Sequence, residues 1–159
     1  MQKKCKKCGR IFVPRQPHFE ICPDCYFKQR ERNVLNKSEL LDGYYDQDGE
    51  PLKEVFVGLP ERLANVFAKD KLGTKQLRDF HRKISKARNK ALLKGINTAR
   101  PLLYQCYRDI DYQLKRQVIP KSFAQFIKHH LSLAEREEDS LEGFYQHLDS
   151  IVCYFPSKK

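Results

Sequence analysis

Two Cys-x-x-Cys pairs near the N-terminus constrain the fold of this chain more than any other feature. Cys5 and Cys8 form the first pair, and Cys22 and Cys25 form the second after thirteen intervening residues. Each pair turns two sulfur atoms to one side, and four cysteine thiolates are a common ligand set for tetrahedral structural Zn²⁺. Four protein ligands leave no open coordination position for catalysis. The spacing therefore predicts a zinc ribbon over residues 1–27, with one structural zinc ion that supplies folding energy.

The other interpretations of this region are a redox pair and a ligand set that includes His18. A redox Cys-x-x-Cys motif normally occurs once, beside a βαβ pattern, so it fits the two pairs less well. His18 lies inside the loop between the pairs, where we interpret it as a solvated loop residue. Six Lys or Arg residues lie between Lys3 and Arg15. They leave two readings open, phosphate binding and a merely solvated basic surface.

Residues 28–59 have the pattern of a connector. The stretch KQRERNVLNKSELL favours a short helix, and GYYDQDGEPLKEVFV favours a β-hairpin around an Asp-x-Asp-Gly turn. Its acidic residues resemble a calcium loop only loosely, because the twelfth-position Glu and the flanking helices are missing. These residues are Asp42, Asp46, Asp48 and Glu50. We expect this acidic segment to dock against a basic part of the chain or against a neighbouring subunit.

From Pro60 onward the apolar residues recur every three or four positions, which predicts amphipathic helices. Five helices are predicted, with sequences PERLANVFAKDKL, TKQLRDFHRKISKARNKALL, RPLLYQCYRDIDYQLKRQV, KSFAQFIKHHLSLAER and SLEGFYQHLDSIVCYF. The short connections between them favour a compact bundle over residues 60–159. The predicted fold class is therefore mainly α, a five-helix bundle preceded by the zinc ribbon and a hairpin-like connector.

The net charge of +11 is concentrated in two blocks, which points to a polyanionic partner. Residues 73–121 contain thirteen Lys or Arg and only three Asp or Glu. A basic helix face can simply be the solvated side of an amphipathic helix. Solvated helices, however, usually intersperse Glu with Lys, because such pairs stabilise them. The exposed sides of the second and third helices are therefore candidates for contact with nucleic-acid phosphates. They carry Lys75, Arg78, Arg82 and Lys86 on the second helix, and Arg108 and Lys115 beside Tyr104 and Tyr112 on the third.

The sequence offers little support for catalysis or for membrane insertion. It has no Gly-rich phosphate loop and no Ser or Cys near a matching His and Asp, so we expect no enzyme activity. No apolar run approaches the ~20 residues of a membrane helix, and no signal peptide is recognisable. Cys106 and Cys153 lie on apolar helix faces and are not expected to bind metal. We expect a cytoplasmic protein with reduced cysteines.

Three stretches in this order, KLGTKQLRDFHRKI, ARPLLYQCYRDI and FYQHLDSIVCYF, resemble the small subunit of type III CRISPR–Cas effector complexes, the Csm-type helical subunit. The resemblance covers residues 60–155. It implies a non-catalytic role in which several copies stack along a backbone of RNA-binding subunits and line the channel that holds guide RNA paired to target RNA. The common form of the family lacks the zinc ribbon and the DGYYDQDGEP segment.

By position, the resemblance assigns RNA contacts to Lys75, Arg78 and Arg82 on the second helix and to Arg108 on the third. Many relatives have a Lys where Leu102 and Leu103 stand here, with Arg100 just before them. The full set of predicted RNA-binding residues is Lys75, Arg78, Arg82, Lys86, Arg100, Arg108 and Lys115.

The predicted function is that of a non-catalytic RNA-binding small subunit of a type III CRISPR–Cas ribonucleoprotein. Its expected partners are guide RNA, target RNA, the backbone subunits and other copies of itself, with no membrane. Two other classes remain open. One is a free-standing zinc-ribbon regulator or ribosome-associated factor that binds nucleic acid alone, and the other is a protein-interaction adaptor. A stand-alone DNA reader would need a recognition helix, and the helices here are too long and evenly packed for one.

Overall fold

The computed structural model describes residues 1–26 and 35–156. The chain divides into two compact units, Met1–Val34 and Leu35–Lys159. In the first unit, strands β1 (Lys3–Lys4) and β2 (Ile11–Phe12) pair antiparallel, with Lys3 opposite Phe12. Gly9 lies in the turn between them with φ of 79°, a left-handed conformation that glycine adopts without strain.

Five long helices form the second unit, as the apolar periodicity predicts. They are α1 (Leu59–Lys69), α2 (Thr74–Lys94), α3 (Ile96–Lys115), α4 (Lys121–Ala134) and α5 (Glu138–Tyr154). Helix α2 packs against α3 and α5, and α5 also packs against α1 and α4. The residues that α2 was predicted to bury are all buried, namely Leu77, Phe80, Ile84, Ala87 and Ala91. The mainly helical fold class is confirmed.

The predicted start of α3 at Arg100 is wrong, because the helix begins four residues earlier, at Ile96, and includes Pro101. Ala99, in this additional turn, is fully buried. The packing of this turn outweighs the one backbone hydrogen bond that the proline cannot donate.

The residues after Leu35 pack into the core of the helical unit and do not stand apart as a linker. Tyr44 and Val55 are buried there, and Tyr45 and Pro51 form an antiparallel bridge around the acidic turn. A second strand after the Asp-x-Asp-Gly turn was predicted, but Lys53–Phe56 is a helical turn. The part of the predicted connector from residue 35 to 59 therefore shares one compact unit with the helices. Of the short helix predicted before it, residues 28–34 lie outside the described residues, and Lys37–Glu39 forms a 3₁₀ turn.

Three histidines of the bundle form hydrogen bonds with this segment. His129 donates from Nε2 to the carbonyl oxygen of Leu41 at 2.6 Å, and His147 donates from Nδ1 to that of Val55 at 3.0 Å. The Tyr44 hydroxyl lies 2.5 Å from Nδ1 of His130. Burial lowers the pKa of His130 well below its ordinary value and that of His147 to about 4, so both rings are neutral near pH 7.

Candidate functional site

The four cysteines of the N-terminal unit form one cluster. Cys5 follows β1, Cys8 lies in the turn before Gly9, and Cys22 and Cys25 lie at the start of a short helical stretch that includes residues 23–26. Their four Sγ atoms all lie within 4.8 Å of one another, and those of Cys8 and Cys22 are 3.6 Å apart. A tetrahedral zinc with Zn–S bonds of about 2.3 Å separates its sulfurs by about 3.8 Å. The donor set therefore fits one metal ion with four thiolate ligands.

The electrostatics of this cluster favour binding of a cation. Backbone N–H groups of Cys8, Cys22 and Lys7 stabilise the Cys5 thiolate and lower its pKa to about 6. Hydrogen bonds to the sulfurs of Cys22 and Cys8 hold the proton on the Cys25 thiol and, with burial and a smaller repulsion from the charge on Cys22, raise its pKa to about 12. A divalent cation at the centre would neutralise this repulsion and hold all four sulfurs as thiolates.

Other cysteines and histidines do not join this cluster. Among the residues that the structure describes, no second group of three or more possible ligands converges on one point. His18 packs edge-on against Phe19, with ring centroids 4.7 Å apart. Cys106 is buried in the helical core, and burial raises its pKa to about 11. Cys153 was expected on an apolar face but is exposed, because it lies past Ile151 near the end of α5.

Helix α2 carries an exposed row of cations opposite its buried face. Lys75, Arg78, Arg82 and Lys86 are all exposed, as a helical period of 100° per residue predicts. Within residues 1–26 and 35–156, no carboxylate lies at ion-pair distance from Lys75, Arg78 or Lys86. Arg82 pairs with Asp79 at 3.0 Å, but its side chain remains 76% exposed. An exposed pair of this kind contributes little stability and leaves the cation accessible.

Helix α3 places two further cations and two tyrosines on its exposed side. Arg108 and Lys115 are exposed and have no carboxylate partner in the described part of the chain. Tyr104 and Tyr112 are 51% and 60% exposed. Arg116, which the sequence reasoning missed, lies over the Tyr112 ring, 5.4 Å from its centroid. Arg116 lies four residues after Tyr112, so the same three-or-four spacing that groups Tyr104, Arg108 and Tyr112 could have identified it, although it lies just after the helix end.

The basic sides of α2 and α3 belong to neighbouring helices, because the two helices pack against each other. Lys83 on α2 and Asp109 on α3 form an ion pair of 2.8 Å that joins them. Lys86 lies one helical turn beyond Lys83, and Arg108 directly precedes Asp109. The two rows of cations therefore lie on adjacent helices. They are named below the basic face, defined by Lys75, Arg78, Arg82, Lys86, Arg108 and Lys115.

Arg100 and Arg88 are occupied by contacts within the fold. Arg100 donates from Nε to the carbonyl oxygen of Glu135 at 2.8 Å and from Nη2 to that of Arg136 at 3.2 Å, just past the end of α4. Arg88 donates to both carboxylate oxygens of Glu142, at 2.6 and 3.1 Å, and this hydrogen bonding lowers the pKa of Glu142. Arg100 was predicted to bind RNA, but its guanidinium already donates hydrogen bonds to backbone carbonyl oxygens at the C-terminal end of α4.

Comparison with known proteins gives one family. The family model described as Csm2 Type III-A matches residues 51–159. This range contains all five helices and the whole basic face, but none of the four clustered cysteines. No curated protein and no solved structure gives a significant match. Within the described residues, no helix is long and apolar enough to cross a membrane.

Proposed function

Because this chain belongs to the Csm2 Type III-A family, the small subunit of type III CRISPR–Cas complexes, we propose that it serves there as a non-catalytic RNA-binding subunit. In this proposal the basic face lines the channel that holds guide RNA paired to target RNA. Guide and target RNA, the backbone subunits and further copies of the chain are its partners. The four clustered cysteines hold a structural zinc ion, which takes no part in any reaction.

The observation that carries this proposal is that five of the six cations of the basic face, all except Arg82, have no carboxylate partner among the described residues. Two other cations of α2 are paired with carboxylates of neighbouring helices, Lys83 with Asp109 and Arg88 with Glu142. Lys75, Arg78, Lys86, Arg108 and Lys115 have no such partner among the described residues. Clustered like charges repel each other, and phosphates of a bound RNA would relieve this repulsion.

Binding of this kind follows the RNA backbone and does not read base edges. Lys and Arg contacts with phosphates fix the position of a nucleic acid but carry no sequence information. In guide-dependent complexes the sequence is recognised by base pairing between guide and target. Exposed Tyr104 and Tyr112 lie among the cations of α3, where they can pack against sugars. A subunit with this surface needs no catalytic residues.

The test is a double charge reversal, Arg78→Glu with Arg82→Glu, measured with a short RNA duplex over a range of salt concentrations. Both side chains are exposed, so the circular dichroism spectrum and the unfolding midpoint should not change. The slope of log K against log salt should fall by about one for each lost phosphate contact. The matched control is Arg62→Glu with Lys69→Glu, two exposed cations on α1.

Two results would contradict the proposal. One is equal weakening by the control pair, which would mean that only net charge matters. The other is a larger effect of scrambling the RNA sequence than of raising the salt. That outcome would indicate direct base readout and would favour a free-standing nucleic-acid-binding regulator.

A further inference from the structure

The N-terminal unit contains an apolar cleft that the metal centre alone does not explain. Its volume is about 330 Å³, within the range of small-molecule sites. Its lining includes three aromatic rings, two aliphatic side chains and one cation, from Phe12, Phe19, Tyr26, Val13, Ile21 and Arg15. Val13 and Phe19 are 65% and 41% exposed, a large apolar exposure for so small a unit.

The metal-binding turns hold the walls of this cleft. Phe12 ends β2, Ile21 directly precedes Cys22, and Tyr26 directly follows Cys25. The lining is therefore attached to the same short elements that bring the four sulfurs together. A site fixed in this way loses little conformational entropy when a ligand binds.

The charge of the N-terminal unit, with Arg15 in the lining of the cleft, favours an anionic ligand. Both acidic residues of the described part of this unit are already paired, Glu20 with Lys6 at 2.7 Å and Asp24 with Arg10 at 3.5 Å. Four further cations have no carboxylate partner among residues 1–26. They are Lys3, Lys4, Lys7 and Arg15. The unit remains positive even when the four thiolates and a divalent ion, which together carry −2, are included.

We propose that this cleft is a second nucleic-acid site, which takes an unpaired base of single-stranded RNA while Arg15 and the other unpaired cations of the unit contact its phosphates. The cleft has an apolar, aromatic lining and belongs to a positively charged unit. Single-stranded RNA matches both properties, because its bases have flat apolar faces and its backbone is anionic. Stacking of bases on aromatic side chains is tolerant of sequence, as a guide-dependent complex requires. Bases within a duplex are stacked on each other, so only unpaired segments can enter.

This proposal deepens the proposed function, on which it rests for the identity of the ligand. The two sites differ in what they bind, because the basic face takes paired RNA and the cleft takes unpaired RNA. The experiment therefore uses one RNA duplex with a single-stranded extension that carries 2-aminopurine. It is measured with the zinc-loaded full-length chain beside the same duplex without the extension.

In the parent protein, binding should quench the 2-aminopurine fluorescence, because the base stacks on an aromatic ring. Phe19→Ala should abolish this quenching and weaken binding of the extended RNA about tenfold, the scale of one lost stacking contact. It should leave binding of the blunt duplex unchanged. Arg15→Glu should also weaken binding of the extended RNA. Ile11→Ala is the control, because Ile11 is 70% exposed in the same unit but does not line the cleft. Unchanged zinc content would show that each variant keeps the fold.

The proposal is overturned if Phe19→Ala and Arg15→Glu retain both the quenching and the affinity of the parent protein. It is also overturned if these variants bind RNA normally but no longer associate with the neighbouring subunits, since the cleft would then be a protein-docking site. Failure of the proposed function would be seen separately, if the double substitution Arg78→Glu with Arg82→Glu left binding of the blunt duplex unchanged.

Discussion

Gly143 in α5 lies directly under the ring of Tyr44, so Gly143→Ala should destabilise the helical unit. A Cβ atom added at Gly143 would lie 2.4 Å from Cγ, 2.5 Å from Cβ and 2.6 Å from Cδ2 of Tyr44. Carbon atoms in normal contact are about 3.5–4.0 Å apart, so the ring would have to move by about 1 Å. Tyr44 is 2% exposed and has little space in which to move.

The expected magnitude combines two destabilising contributions with one stabilising contribution. Overpacking a core position costs about 1–3 kcal/mol. A displaced Tyr44 also weakens its hydrogen bond with His130, whose Nε2 already has no partner, and an unsatisfied buried group costs about 1–3 kcal/mol. Alanine within a helix is favoured over glycine by about 1 kcal/mol. We therefore expect a net loss of about 1–5 kcal/mol in the free energy of unfolding.

The measurement is urea-induced unfolding at pH 7, followed by the helical circular dichroism signal of the zinc-loaded protein. The matched control is Gly43→Ala, next to Tyr44 in the sequence, where an added Cβ would meet no atom within 4 Å. This control should change stability by less than about 1 kcal/mol. If Gly143→Ala were as stable as the parent protein, or more stable, residues 35–58 would not pack against α5 as described.

Two further predictions concern the metal and the buried histidines. Metal analysis should find one zinc ion per chain, and Cys5→Ser with Cys8→Ser should lose it; undiminished zinc in this variant would exclude the four-thiolate site. A chelator should leave most of the helical signal intact, because none of the four cysteines lies in the unit that begins at Leu35. In the folded chain, His130 and His147 are held neutral, with pKa values below the unfolded value of 6.5. Between pH 6.5 and 4 the unfolded chain therefore binds more protons than the folded chain. The free energy of unfolding is unaffected by these histidines above pH 6.5 and decreases as the pH is lowered toward 4. The free energy of unfolding, measured by urea titration at several pH values, should change by about 1.4 kcal/mol per pH unit for each histidine. His147→Asn should remove half of this pH dependence. An unchanged pH dependence would show that the His147 ring is not held neutral by burial.

The features that the sequence alone predicts are those with a local physical cause. The Cys-x-x-Cys spacing is local, because two ligands separated by two residues turn their sulfurs to one side whatever the rest of the chain does. The helices are also local, since one apolar face at three-or-four spacing has to be buried. For the same reason, the exposed positions of Lys75, Arg78, Arg82 and Lys86 follow from the buried face of α2.

Contacts between distant residues determine which basic residues are occupied within the fold. Arg88 and Arg100 have the same side chain as Arg78, and no neighbouring residue predicts their different roles. Arg88 is occupied by Glu142, 54 positions away, and Arg100 by the carbonyl oxygen of Glu135, 35 positions away. These pairs form only when the helices pack.

The segment after Leu35 has the same dependence on packing. EVFV has the composition of a strand, yet it forms a helical turn in which Val55 is buried and its carbonyl oxygen accepts a hydrogen bond from His147. Its own residues prefer an extended backbone. Among the described residues, however, no strand lies beside EVFV to pair with it, and the nearby bridge joins only Tyr45 and Pro51. Burial against α5 is the larger contribution, and burial depends on helices that lie ninety residues further along the chain. Local pattern therefore suffices for the metal cluster and the helix faces, whereas the conformation of this segment and the free cations of the basic face depend on tertiary packing.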